Sequence, residues 1–146
     1  MTGLDPAAAQ LEDELGGLAA RIGAVLGTDL QLALGERAQS RAAGLVAQLA
    51  DGDLADETAT DLLALLWPDD PDLEWWRTPL GLLVAPTAAR EEDAPGWSRS
   101  ETARVLGVSP GTVAQLGARG TLEQADGGGF SRRSVLTRLI RLAGQR

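Results

Sequence analysis

The chain has 146 residues and a formal net charge of −8, and it contains neither cysteine nor histidine. The absence of cysteine excludes a disulfide framework and a thiolate metal site, and the absence of histidine removes the commonest general base and metal ligand. We therefore expect a protein that is not an enzyme and that has no metal site and no cofactor. Leucine, alanine and glycine dominate, and only 3% of residues are aromatic. This composition favours helices over a β-sandwich.

The sequence contains no targeting or membrane-spanning signal. Its first ten residues lack both the basic and the apolar segment of a signal peptide. The longest apolar run, Leu80 to Ala85, is far shorter than the roughly eighteen residues of a membrane span. We expect a cytoplasmic protein that does not enter a membrane.

Charge is distributed unevenly along the chain. Up to Pro95 there are 18 acidic and 5 basic residues, whereas from Gly96 onward there are 3 acidic and 8 basic residues. Such asymmetry indicates two parts with different partners. The polar, proline-containing stretch 91–96 is interpreted as the linker between them.

Four helices are predicted in the acidic part, residues 1–90. The first runs from about Asp5 to Leu26, and after a break at Gly27 the second begins at Thr28 or Asp29. Because the break is short, these two helices are expected to lie antiparallel. Their apolar stripes consist of Leu11, Leu15, Leu18, Ile22 and Val25 in the first helix, and of Leu30, Leu34, Ala38, Ala42, Leu45 and Leu49 in the second.

A third helix is predicted from Asp56 to Trp67, with the acidic cluster 51–57 capping its start rather than binding calcium. Pro68 ends this helix, and a shorter one follows Thr78-Pro79. Between them lie Trp75 and Trp76. One of the two is expected to anchor the core of the first part, and the alternative is that one is exposed as an interface hot spot.

The basic part begins with a pattern of helix-capping residues. Ser98 and Glu101 have the spacing of a capping box, and Gly107 ends the helix that they start. Ser109 and Pro110 then predict the cap and first position of a second helix. The two helices would be joined by a short turn that contains glycine, which is typical of a helix-turn-helix.

The second of these helices is amphipathic. Val113 and Leu116 are one turn apart and can pack on the preceding helix, while Thr112, Gln115 and Arg119 fall toward the other side. Beyond it, two short strands around the glycine-rich turn 126–129 predict a β-hairpin. Ser131 then caps a last helix, whose basic surface is formed by Arg132, Arg133, Arg138, Arg141 and Arg146.

Residues 97–142 resemble the small winged helix-turn-helix domains of the excisionase and mercury-resistance-regulator (MerR-like) superfamily. The resemblance rests on Glu101-x-Ala103, Leu106-Gly-Val-Ser109, Thr112-Val113, Leu116, Arg119-Gly120-x-Leu122 and the glycines at 127–129. It implies that the helix 110–119 reads the major groove of DNA and that the wing touches the phosphate backbone or minor groove. The DNA-binding residues implied are Thr112, Gln115, Arg119, Arg132, Arg133, Arg99 and Ser109. Gly117 departs from the family pattern, which has an apolar residue there, and should loosen the helix.

The stretch from Leu66 to Leu80 is similar to a segment of actinobacterial proteins that also end in such a module, and this second resemblance implies no activity. Together these features predict a mainly α-helical protein. It would have an acidic helical domain over 1–90, a linker over 91–96 and a winged helix-turn-helix DNA-binding domain, with a short β-hairpin, over 97–146.

The predicted function is binding of double-stranded DNA by a transcription regulator or an excisionase-like accessory factor. The alternative is a protein–protein interaction module in which the helix-turn-helix is a docking surface. The acidic domain would form a homodimer through the N-terminal helices or bind a protein partner, and it could also mask the basic domain.

Overall fold

A computed structural model describes residues 5–91 and 94–145. Over these residues the chain is mainly helical, as predicted, and no helix has both the length and the apolarity that crossing a bilayer requires. The α-helices are α1 (Asp5–Leu26), α2 (Thr28–Leu49), α3 (Ala55–Leu66), α4 (Pro79–Ala88), α5 (Arg99–Leu106), α6 (Pro110–Ala118) and α7 (Arg132–Gly144), with a 3-10 helix (Leu73–Arg77) between α3 and α4.

The chain divides into two units, the first ending at Asp70 and the second beginning at Pro71. This division comes earlier than the predicted linker at 91–96, because the 3-10 helix packs on α5 and α4 packs on α7. The boundary also changes the charge of each part. Residues 1–70 contain 13 acidic and 3 basic residues, a net charge of −10, and residues 71–146 contain 8 and 10, a net charge of +2.

The first unit is a helical hairpin of α1 and α2, on which α3 packs. Gly27 makes the single-residue turn with a positive φ of 111°, a conformation that glycine adopts without a steric cost. Leu11, Val46 and Ala59 are completely buried. The Asp51 carboxylate accepts the amide N–H groups of Asp53 at 2.8 Å and Leu54 at 3.4 Å in the turn before α3. The N-cap residue of α3 is Leu54, and no side chain makes a capping bond there, so the predicted cap of this helix by the acidic cluster is not formed.

The tip of the hairpin is more exposed than the predicted apolar stripes imply. Val25 is 82% exposed and Leu30 is 39% exposed, although both were expected to be buried. α3 begins at the far end of α2, and its 12 residues span about 18 Å, whereas the 22 residues of α2 span about 33 Å. It is therefore too short to cover the tip.

Tryptophans form the centre of the second unit. Trp75 and Trp76 are both buried, with ring centroids 5.4 Å apart, and the Trp76 and Trp97 rings pack in an edge-to-face arrangement with centroids 6.1 Å apart. The prediction that one of the pair anchors the first part is therefore wrong. The 3-10 helix packs against both α4 and α5, so adjacent side chains that point in different directions can both enter the core of the second unit.

The β-hairpin predicted after α6 is not seen as strands in the described residues. Phe130 forms isolated bridges with Trp97 and Gln124. The physical reason lies in the conformation of the backbone before Gln124 and before Phe130. Thr121 and Leu122 donate their N–H groups to the Leu116 carbonyl, and Gly128 and Gly129 have positive φ. Few residues remain that can pair in an extended conformation.

An exposed ion pair joins the 3-10 helix to α5. The Arg104 guanidinium donates to both carboxylate oxygens of Glu74, at 2.7 and 2.9 Å. These hydrogen bonds lower the pKa of Glu74 below its ordinary value, and the same contact raises the pKa of Arg104. Arg104 is thus occupied within the unit.

The lowered pKa of Glu74 gives a pH-dependent prediction. Because the carboxylate is favoured in the folded state, its contribution is present above the ordinary carboxyl pKa of about 4.3 and is lost as pH falls through the lowered value. Glu74→Gln should therefore lower the melting temperature slightly at pH 7, and the difference should vanish in acid. Circular dichroism melts of both proteins, with Glu91→Gln as control, would refute this if the difference persists below pH 3.

Candidate nucleic-acid interface

The turn between α5 and α6 has the capping residues that the sequence predicts. The Ser98 hydroxyl accepts the Glu101 N–H at 3.1 Å, and the Glu101 carboxylate accepts the Ser98 N–H at 2.9 Å, which completes a capping box. Gly107 ends α5 in the left-handed conformation, with φ of 70° and ψ of 34°. Ser109 then caps α6 by accepting the Thr112 N–H at 3.1 Å.

α6 packs on α5 through one face and exposes the other. Val113 is completely buried and Leu116 is 9% exposed. Thr112, Gln115 and Arg119 are all exposed, and their spacing of three and four residues places them on one side of the helix. The three residues predicted to contact DNA from this helix are thus brought together on an open surface.

Two of the predicted DNA-binding residues lie at the start of a helix, Ser109 at the N-cap of α6 and Arg99 in the first turn of α5. The Ser109 hydroxyl contacts the Thr112 hydroxyl at 3.0 Å in addition to its capping bond. The Ser109 hydroxyl is therefore engaged in hydrogen bonds at the start of α6 and is poorly available to a ligand. Arg99 is the first residue of α5, and its side chain is exposed.

Arg132 and Arg133, the predicted contacts after the wing, have different environments. Arg132 is half-buried, donates from Nε to the Pro95 carbonyl at 2.8 Å, and lies over the Trp97 ring with its Cζ atom 4.7 Å from the centroid. This cation–π contact gives Arg132 a structural role that the sequence did not reveal. Arg133 is exposed and is available to a ligand.

No protein-family model matches the chain, and neither a curated protein nor a solved structure is significantly similar to it.

Gly117 has a packing role that differs from the loosening predicted for it. A methyl group added there would lie 2.9 Å from Cε1 and 3.1 Å from Cζ of Phe130. The Phe130 ring therefore occupies the space next to α6 that an apolar side chain at 117 would fill. It connects α6 to the backbone that bridges to Trp97.

This contact predicts opposite effects for two substitutions at Gly117. Gly117→Ala should be nearly neutral, because about 1 kcal/mol of helix propensity offsets a displacement of the half-exposed ring. Gly117→Val should destabilise the protein by about 1–3 kcal/mol through overpacking. Gly111→Val is the matched control, because it lies in the same helix and an added Cβ there would meet only the Ser109 Oγ atom, at 3.8 Å. Urea unfolding would contradict the packing role if Gly117→Val is as stable as the control.

A polar groove beside α7 was not among the predicted sites. It has a volume of about 220 Å³ and includes Arg138 and Arg141 as well as Arg133. The sequence indicated a basic surface on this helix, but it gave no sign that these side chains line one groove together with Thr121. Arg146, also predicted to belong to this surface, lies outside the described residues.

Proposed function

We propose that the protein binds double-stranded DNA, with α6 entering the major groove. The observation that carries this proposal is the exposed side of α6, where Thr112, Gln115 and Arg119 stand together opposite the packed face. The helix contains no acidic residue, so nothing on it repels phosphate. Its 9 residues span about 14 Å, a length that suits a groove about 12 Å wide.

On this proposal α5 and α6 act as a helix-turn-helix, and the glycine turn at 126–129 acts as a wing that approaches the phosphate backbone. Gln115 and Arg119 would contact base edges, since amide and guanidinium groups pair with adenine and guanine. Arg99 and Arg133 would contact phosphates. The biological role would be that of a transcription regulator or an excisionase-like accessory factor.

The proposal predicts DNA binding that is strongly salt-dependent. Phosphate contacts by two arginines, Arg99 and Arg133, give a log–log slope of about −2 per protomer, because each contact releases about one counterion. Electrophoretic mobility shift of the full chain with a mixed-sequence duplex, between 50 and 200 mM salt, measures this slope. The proposal fails if the folded protein gives no shift at low salt. In that case the same exposed side of α6 is better explained as a docking surface for another protein.

We propose further that the first unit forms a homodimer. An apolar groove of about 290 Å³ lies between α1 and α2, lined by Leu15, Leu18, Ile22, Leu34, Leu45 and Leu65 among others. The exposed hairpin tip extends this surface, since Val25 follows Ile22 by one turn. Arg37 and Arg41 also line the groove. A second copy of this unit would present an equivalent apolar face.

Light scattering tests the dimer. The chain of 15.2 kDa should scatter as twice that mass at micromolar concentration, and Leu18→Glu, which places a charge in the groove, should reduce it to the monomer. Leu32→Glu is the matched control, because Leu32 is 62% exposed and lies outside the groove. A monomeric wild-type protein would rule out the dimer without affecting the proposal for α6.

A further inference from the structure

The groove beside α7, which we call the α7 groove, is lined by Thr121, Glu123, Arg133, Thr137, Arg138 and Arg141 among others. Three of these side chains are guanidinium groups from a single helix of 13 residues. Arg138 and Arg141 are three residues apart, and Arg133 and Arg141 are eight apart, so all three lie on neighbouring ridges of one helix surface. The groove thus concentrates positive charge.

These charges are not balanced within the part of the protein that the structure describes. Among the residues that the structure describes, Arg133, Arg138 and Arg141 form no ion pair with a carboxylate. Glu123 is the one acidic side chain that lines the groove. Like charges on one helix face repel each other. A bound anion would relieve this repulsion.

The Arg138 guanidinium is incompletely hydrogen-bonded within the described part of the protein. Its Nε atom is buried but has no hydrogen-bond acceptor in the described part of the chain. A buried N–H group without an acceptor is costly, and the cost is greater for a charged group. A guanidinium N–H in a groove with two further arginines would bond most strongly to an oxyanion.

We propose that the α7 groove binds a phosphate group. Arg138 and Arg141 would donate from the terminal N–H groups of their guanidinium groups, since the planar arginine fork matches the oxygens of phosphate. Arg133 would supply further charge, and the Thr121 hydroxyl a further donor. The side chains of Ser134 and Thr137 are less available, because each hydroxyl hydrogen-bonds to a main-chain carbonyl of α7 or its cap.

The phosphate can come from two sources. One is the backbone of bound DNA, in which case this inference rests on the proposed function. The groove includes Gly120, the residue directly after Arg119, so it begins where the proposed contacts of α6 end. The other source is a free phosphorylated small molecule, which would make the groove a separate effector site.

Nuclear magnetic resonance of the arginine Nε–H groups in the full-length protein tests this inference. The resonance of Arg138, assigned with an Arg138→Lys variant, is followed during titration with pyrophosphate and, separately, with a mixed-sequence 20-base-pair duplex. Ionic strength is held constant with chloride. The inference predicts a saturable shift of this resonance with at least one of the two probes. A shift with the duplex indicates backbone phosphate, and a shift with pyrophosphate alone indicates a small-molecule site.

Arg141→Gln is the accompanying variant, because its side chain is exposed and its loss should leave the fold intact. It should weaken binding of the responding probe roughly tenfold, or lower the salt slope for DNA by about one. The exposed Arg21→Gln in α1 should change neither. If neither probe shifts the Arg138 resonance, the inference is overturned.

The experiments can contradict DNA binding by α6 and phosphate binding in the α7 groove independently of each other. A duplex that binds through Arg119, in a protein whose Arg138 resonance is shifted by neither probe, overturns the α7 groove and supports the proposed function. A response to pyrophosphate in a protein that binds no duplex supports the groove and contradicts DNA binding.

Discussion

Replacing Trp76 with alanine is expected to unfold a large fraction of the second unit. The indole is 3% exposed and packs against the rings of both Trp75 and Trp97. Loss of a buried tryptophan typically costs about 3–5 kcal/mol, which is a large share of the roughly 5–15 kcal/mol by which a protein of this kind is stable. Urea unfolding monitored by circular dichroism measures the loss directly.

Trp76→Phe is the conservative control, since it retains an aromatic ring and much of the buried area. It should cost clearly less than the alanine variant. If Trp76→Ala has the same unfolding midpoint as the wild-type protein, the three tryptophans are not the centre of this unit.

Replacing Arg119 with alanine is expected to weaken DNA binding by roughly 5- to 150-fold. This range corresponds to the loss of one bidentate contact with a base, at about 1–3 kcal/mol. The side chain is exposed at the end of α6, so its removal should leave stability nearly unchanged. Fluorescence anisotropy with a labelled duplex measures the affinity.

Arg21→Ala is the matched control, because it removes an equally exposed arginine from the first unit. It should bind DNA as the wild-type protein does. An equal loss of affinity in both variants would mean that the effect is only one of net charge. An unchanged affinity in Arg119→Ala would remove this residue from the interface.

Local features of the fold could be predicted from the sequence. The starts of α4, α5, α6 and α7 are fixed by capping residues within one turn, and hydroxyl groups of Thr78, Ser98, Ser109 and Ser131 make the expected bonds. The end of α5 at Gly107 also follows from a single residue. Capping bonds join residues that are close together in the chain, so they can be predicted from the sequence without knowledge of the tertiary structure.

Features that depend on distant contacts could not be predicted. The tryptophan pair was assigned to the wrong unit, because burial of Trp76 depends on Trp97, 21 residues away. The role of Gly117 depends on the Phe130 ring, and that of Arg132 on the Pro95 carbonyl and the Trp97 ring. None of these partners is marked by a spacing or a motif.

The net charge of the C-terminal part is smaller in the structure than the sequence predicts, because the second unit begins earlier in the chain. The predicted linker gave the C-terminal part a strong positive balance, whereas the second unit that begins at Pro71 has a net charge of only +2. Glu74 further engages Arg104. Any attraction for DNA must therefore come from local groups, namely Arg99 on α5, Arg119 at the end of α6 and the arginines of the α7 groove, rather than from the charge of the unit as a whole.

The central claim is that the exposed side of α6 reads DNA sequence. Selection of bound sequences from a random duplex library, with the full-length protein, tests it most directly. We expect enrichment of a short motif, and we expect Arg119→Ala to lose the preference at one position of that motif. A folded protein that enriches no sequence over the starting library would contradict the claim.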